Sequence, residues 1–336
     1  MLKFNRVCVP LTLDCNLQCK YCYRDREKLD VIPEFTEDMK EYLRNLSPDW
    51  CEAVIASGGE PLMHWNKVKE LFSYVPKNIH KKILSNCTLL TQEIVDYINE
   101  NEIEISISHD GPKTKFLRGI DILQNKKVRD LIRQIKYISC WSVITKYNTD
   151  CWENYFDILK RLDRVDIRYM VSPIMDIPSQ HDLIDGFNYE EWFKTSLEVK
   201  LSPLREKYML PWYGCFTIKD KSSIVTNSGR SCGFNILPNG TVCGMTRICS
   251  NYGSIHNKNY NECRQSAIKQ GLFDYCYQTN CKYKDVCVYD PQTTSEHVCK
   301  CRRMMMSVSK EEVQKIQHYV CNNWEEIKEK YGYVEK

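Results

Sequence analysis

Six short apolar runs alternate with six amphipathic stretches between Arg6 and Val199, and that alternation predicts an α/β fold on a parallel sheet. Parallel neighbours require helical crossovers, which are right-handed. Six such units suit an open, partial (β/α)6 barrel of the TIM type better than a closed eightfold one. A second observation bounds the barrel: near Leu201–Leu210 the alternation stops and cysteine density climbs. The expected organisation is a partial barrel over 1–205, a cysteine-rich domain over 206–305 and a C-terminal helix over 306–336.

The strand candidates, in order, are Arg6–Leu13, Ala53–Ser57, Lys82–Ser85, Ile103–Ser108, Tyr137–Ile144 and Asp166–Val171, each bounded by turn residues. Between them, Thr36–Leu46 opens with a Thr cap and two acids, Glu37 and Asp38, which favour a helix N-terminus. Asn66–Ser73, Thr91–Asn99, Val128–Ile135, Trp152–Leu162 and Tyr189–Val199 carry the same period. Later, Cys232 to Cys243 reads as a β-hairpin turning at Pro238-Asn239-Gly240, and Lys310–Trp324 returns to helical period.

Composition removes several functions. No run of eighteen apolar residues is present, so a membrane-spanning helix is not expected, and the N-terminus lacks a signal-peptide core. A cytoplasmic protein follows. A net charge of +3 does not call for nucleic acid. Basic residues do gather locally, at Lys113, Lys115, Arg118, Lys126, Lys127, Arg129, Arg133 and Lys136. A solvated helical face explains them, with a docking surface for an acidic partner as the alternative. Nineteen cysteines, an odd number, in a reducing compartment argue against a disulfide scaffold and for metal or cluster ligation.

The chemistry gathers where parallel strands end, the edge at which α/β sheets bind ligands. After the first strand comes Cys15-Asn16-Leu17-Gln18-Cys19-Lys20-Tyr21-Cys22. Three thiolates on one loop hold three corners of a [4Fe–4S] cube and leave the fourth iron open for a small molecule. Zinc sites also use close cysteines, so the spacing alone is suggestive. After the second strand, Ser57-Gly58-Gly59-Glu60-Pro61 combines glycines that permit close backbone approach with a carboxylate suited to a cationic amine.

In this order and spacing the two segments resemble the radical S-adenosylmethionine (SAM) superfamily, in which the GGEP motif contacts the methionyl amine of SAM. Ser85-Asn86-Cys87-Thr88-Leu89-Leu90 is similar to the family's T-N-G-T-L-L segment, with Cys87 in place of the glycine. Ser106 to Pro112 is similar to S-x-D-G-P, with His109 inserted. The resemblance implies that Cys15, Cys19 and Cys22 hold the cluster. It also implies that Gly58, Gly59, Glu60, Pro61, Asn86, Ser108 and Asp110 meet SAM, with Tyr21 beside the adenine. His109 is a candidate proton donor, against the commoner role of a satisfied structural histidine. The implied chemistry is reductive cleavage of SAM to a 5′-deoxyadenosyl radical that takes hydrogen from an unactivated C–H.

The later cysteines resemble the SPASM extension, which holds auxiliary [4Fe–4S] clusters in radical SAM enzymes that modify peptides and proteins. Candidate ligands are Cys232, Cys243, Cys249, Cys276, Cys281, Cys287, Cys299 and Cys301, with spacings that depart from the common pattern and allow one or two clusters. Cys215 lies outside the motif as a ligand or a catalytic thiol, and a zinc site is the rival reading of the tail.

The expected function is oxidative post-translational modification of a peptide or protein, such as a crosslink in a ribosomally made precursor. The alternatives are a formylglycine-forming sulfatase-type maturase and a small-molecule radical SAM dehydrogenase. A non-enzymatic iron–sulfur carrier or zinc scaffold explains the cysteines but not the glycine turn. A flavodoxin- or ferredoxin-type reductant is implied. Because the chain starts close to the first strand, three expectations stand: the leader binds elsewhere, a separate protein supplies the leader-binding domain, or the substrate is not a leader peptide.

Overall fold

The computed structural model describes residues 2–4, 6–22, 32–174, 178–204, 234–244, 250–270, 280 and 296–334. Six parallel strands lie side by side in chain order: β1 (Arg6–Thr12), β2 (Ala53–Gly58), β3 (His80–Ser85), β4 (Ile103–Ser108), β5 (Ile138–Ile144) and β6 (Arg168–Pro173). Helices α1 (Glu37–Arg44), α2 (Trp65–Tyr74), α3 (Gln92–Glu100), α5 (Lys126–Arg133) and α6 (Cys151–Leu162) lie in the crossovers, and α7 (Tyr189–Lys200) follows β6. A short α4 (Thr114–Arg118) interrupts the link between β4 and α5. This is the expected partial barrel, with β1 and β6 as its edges. Pro10 fits an edge strand because it lacks the N–H an inner strand must donate, and the β1–β2 register shifts just beyond it.

Local sequence sets the helix starts. Thr36, Thr91 and Asp150 each accept a hydrogen bond from the first turn of the helix they open. The pleat then divides the side chains of each strand between two faces. Val7, Val9, Val54, Ala56, Ile83, Ile105, Ile107 and Cys140 are buried under the helices. Of the alternate residues, which the register aligns on the concave face, Cys8, Ile55, Leu84, Ser108, Trp141, Val143, Met170 and Ser172 are half-buried, while Pro10, Ser57, Lys82, Glu104, Ser106 and Ser139 are buried. The concave face therefore lines a lumen that water reaches.

The lumen has a charged floor near the strand amino ends. Glu104 accepts from Lys82 Nζ at 2.8 Å, from Arg168 Nη2 at 2.6 and 2.7 Å, and from Ser139 Oγ, and it pairs with His80 Nε2 at 2.9 Å. Burial alone would raise the Glu104 carboxyl, but Lys82, His80 and Arg168 outweigh it and hold it well below the usual range.

An antiparallel sheet of β7 (Phe234–Ile236), β8 (Thr241–Gly244) and β9 (Gly253–Ser254) packs beside β1, and Leu2 N–H donates to Ile255 O at 2.9 Å. Its first turn is the expected Pro-Asn-Gly one, closed by Gly240 N–H to Leu237 O at 2.8 Å. Two helices absent from the sequence reading follow, α8 (Tyr260–Lys269) and α9 (Glu296–Ser307). The expected final helix is divided at Asn323 into α10 (Lys310–Asn322) and α11 (Trp324–Lys330). Trp324, Tyr331 and Tyr333 pack on the Phe156 ring of α6. No described helix is long and apolar enough to cross a membrane.

Candidate active site at the strand carboxyl ends

The cysteine loop leaves β1 and is pinned on two sides. Gly59 N–H donates to Thr12 O and Glu60 N–H to Asp14 O, both at 2.7 Å, while Lys20 N–H donates to Leu117 O at 2.8 Å. The two glycines are required here. Gly58 adopts φ +123°, and a Cβ on it would stand 2.2 Å from Thr12 O; one on Gly59 would stand 2.0 Å from Asp14 O. The close approach these glycines permit is thus, first, to the backbone of the cysteine loop. Within the loop, Cys22 N–H donates to Cys19 O at 2.9 Å, Cys15 is exposed, and Cys19 and Cys22 are half-buried.

Glu60 is 1% exposed and makes no ion pair among the described residues. Its carboxylate accepts from Ser85 Oγ at 2.8 Å, Asn86 N–H at 2.7 Å and Leu62 N–H at 3.0 Å. Burial raises its pKa against the pull of these donors. Pro61 opens the short 3₁₀ turn Pro61–His64, for which Glu60 is the cap. The Asn86 amide donates to Asn16 Oδ1 at 2.9 Å and lies 3.9 Å from Cys15 Sγ, and its oxygen accepts from Thr88 N–H at 2.9 Å. Cys87 adopts the left-handed backbone at φ +60°, at a local cost of about 1 kcal/mol.

Asp110 is fully buried and already engaged. Tyr21 Oη donates to its Oδ2, Arg118 Nε and Nη2 donate at 2.7 and 3.1 Å, and Val143 N–H donates at 2.9 Å. The Tyr21–Asp110–Arg118 triad therefore ties the cysteine loop to the end of β4. Burial works against the Arg118 guanidinium, yet Asp110 beside it keeps it charged and raises its pKa. Sequence reasoning had Arg118 in a solvated basic face. Arg129 is half-buried and donates to the Leu123 carbonyl, while Arg133 stays exposed on that face and donates to the carbonyls of Leu162 and Arg161. Period alone cannot show that a distant carboxylate or helix end claims an arginine.

His109 is buried between two partners. Its Nδ1 accepts from Gly111 N–H at 3.2 Å, so Nε2 carries the proton and faces Asp121 Oδ1 at 3.2 Å. This is the arrangement of a satisfied structural histidine. Ser108 ends β4 half-buried on the lumen side, and its hydroxyl makes no hydrogen bond among the described residues. Of the tail cysteines, Cys243, Cys299 and Cys301 are buried. Cys215, Cys232, Cys249, Cys276, Cys281 and Cys287 lie outside the described residues.

The radical SAM superfamily profile matches residues 9–192, more than half of the chain. The chain belongs to the radical SAM superfamily. Among relatives, it is 22% identical to the cysteine-type anaerobic sulfatase-maturating enzyme of Clostridium novyi, covering 82% of this chain and 83% of that protein. It is likewise 22% identical to the AdoMet-dependent heme synthase of Nitratidesulfovibrio vulgaris, over 87% and 82%. An uncharacterized protein of Methanocaldococcus jannaschii, MJ0907, is 33% identical over a shorter stretch, 31% of this chain and 37% of that protein. In structure the fold is similar to anSMEcpe with bound AdoMet, with a TM-score of 0.61 at 16% identity over 94% of this chain and 99% of the other. It is also similar to Streptococcus suis SuiB bound to its precursor peptide SuiA, with a TM-score of 0.55 at 14% identity over 88% and 76%.

Radical SAM membership brings a [4Fe–4S] cluster and SAM, and the donor set fits them. The three loop cysteines are free thiols, and no three His, Cys, Asp or Glu side chains among the described residues form a site for a single metal ion. A cube asks each thiolate for a separate iron, and none of the three loop thiols is tied up in a disulfide. Burial pushes the Cys19 thiol up to about 11 against the pull of Arg118, so a bound metal has to displace its proton.

Proposed function

We propose that this radical SAM enzyme modifies a peptide or protein oxidatively, with the reacting C–H held in the open lumen. Cys15, Cys19 and Cys22 hold the cluster, and Glu60, Ser108 and the Asn86 segment face SAM. When bound, the cluster and SAM supply hydrogen abstraction from an unactivated carbon. The residues of this chain do the positioning. Gly58 and Gly59 let the cysteine loop seat against β2, and the Tyr21–Asp110–Arg118 triad fixes its far end. Asp110 is a positioning residue in this reading, because protein donors already occupy its carboxylate. His109 likewise braces the β4 end through Asp121.

The observation that carries the substrate class is the lumen, where Ser108, Trp141, Val143 and Ser172 near the strand carboxyl ends stay half-buried. Support comes from likeness in fold to proteins whose structures hold peptides, anSMEcpe with Cp18Cys over 99% of its length and SuiB with SuiA over 76%. A sulfatase-type maturation yielding formylglycine is the second reading, favoured by likeness to the Clostridium novyi enzyme. Anaerobic incubation with SAM, dithionite and candidate peptides is expected to yield 5′-deoxyadenosine together with a peptide mass change. Deoxyadenosine without a peptide change, across precursor and sulfatase peptides alike, defeats the peptide assignment.

The tail holds one or two auxiliary clusters in the same proposal. Cys299 and Cys301 sit two residues apart on α9, about 200° around its axis, so an intact helix presents one of them to any given cluster. Iron analysis tests this tail. A Cys15/Cys19/Cys22→Ala variant should lose about four iron and retain at least about four more in the tail. Retention of none, with zinc found instead, removes the auxiliary clusters.

A further inference from the structure

Part of the basic run singled out in the sequence stays in solvent, and it gathers beside the cysteine loop. Phe116 on α4 and Tyr147 in the β5–α6 link are 44% and 40% exposed, and their rings meet edge to face at 4.9 Å. Ile120, also 40% exposed, follows on the same loop. Lys20, between the second and third loop cysteines, places Nζ 3.6 Å over the Phe116 ring, and Lys146 lies 5.2 Å from the Tyr147 ring. Lys113 and Lys115 flank Phe116 in solvent. None of these four ammonium groups forms an ion pair among the described residues. The nearby exposed carboxylates are Asp182 and Asp185, on the segment whose Leu183 and Ile184 pack against Leu117. Among the described residues, four lysines against these two aspartates leave the patch positive.

We propose that this patch docks an acidic one-electron carrier protein, which reduces the cluster held by the adjoining loop. The inference rests on the radical SAM reading. An aromatic centre with a basic rim is the surface an acidic protein partner recognises. Its place selects an electron donor over a peptide substrate. A substrate C–H has to enter the lumen, whereas the patch belongs to rim loops and includes no strand residue of the concave face. An electron needs only proximity, and Lys20 belongs to the cysteine loop itself. The carrier loses one electron and the cluster gains one.

The test compares the reconstituted holoenzyme with a Lys113→Glu/Lys115→Glu/Lys146→Glu variant and a Phe116→Ser variant, using an acidic flavodoxin as probe. Binding of the flavodoxin, measured by biolayer interferometry, is expected to weaken about tenfold or more in both variants. Its dependence on salt should become shallower in the lysine variant. Bleaching of the cluster by dithionite should be unchanged, which shows that the site remains folded. A Lys126→Glu/Lys127→Glu control carries like charge changes elsewhere on the surface and should bind normally. Equal binding by the patch variants, or equal weakening by the control, overturns the proposal. So does a patch variant that loses affinity for the substrate peptide while keeping it for flavodoxin. Failure of the wild type to cleave SAM with dithionite would instead defeat the underlying reading.

Discussion

Glu60 at the rim of the barrel and Glu104 on its floor are the same side chain in nearly the same burial, 1% and 5% exposed, with opposite electrostatics. Glu60 accepts from neutral donors alone, and burial raises its pKa. Glu104 is ringed by Lys82, Arg168 and His80, which overcome burial and hold it well below the usual range. The sign of the shift thus follows the partners and not the depth. The floor carboxylate is spent on joining β3, β4, β5 and β6. The rim carboxylate retains capacity for a cation, as the proposed contact with the SAM amine requires.

The largest effect expected is on the floor. Glu104→Gln leaves Lys82 and Arg168 without their counter-charge and should cost about 3–5 kcal/mol, read as a lower denaturant midpoint. A loss under about 1 kcal/mol would show that water already shares the floor charges, and the contrast with Glu60 would collapse.

Glu60→Gln turns an amide NH2 towards a buried backbone donor, which should cost about 1–3 kcal/mol of stability, and should weaken SAM binding tenfold or more, or about 1.4 kcal/mol. Equilibrium dialysis with reconstituted enzyme measures it, and unchanged affinity would assign the amine elsewhere.

Asp121 gives a smaller effect with a defined pH window. Burial raises its pKa, but His109 and Arg161 outweigh burial and lower it to about 2 from 3.8. Its contribution is therefore present above about pH 4 and is lost as pH falls towards 2, about 2 kcal/mol at most. Asp121→Asn should lower stability at neutral pH and flatten the acid limb across that window. An unchanged acid limb would show that the pair with His109 stabilises nothing.

Cys87→Gly should change least. It relieves a left-handed cysteine but empties a buried thiol, for a net change within about 1 kcal/mol. A larger loss, seen by chemical denaturation, would mean that thiol packing dominates the loop.

What the sequence by itself determined is what short-range rules encode. Strand positions followed from apolar runs, and helix starts from Thr36 and Thr91, because a cap acts on residues two or three positions away. The cysteine loop and glycine turn were legible through their spacing. The helices α8 and α9 escaped because cysteine, asparagine and serine mask helical period there. Tertiary structure alone decided the rest. Tyr21 and Asp110 meet across 89 positions, Gly59 presses on Asp14, and Arg118 leaves a solvated face for a buried carboxylate. The openness of the lumen is likewise a property of six strands together. Periodicity reports which face of an element is apolar, whereas the partner of a buried charge depends on which distant segment the fold brings within hydrogen-bond reach.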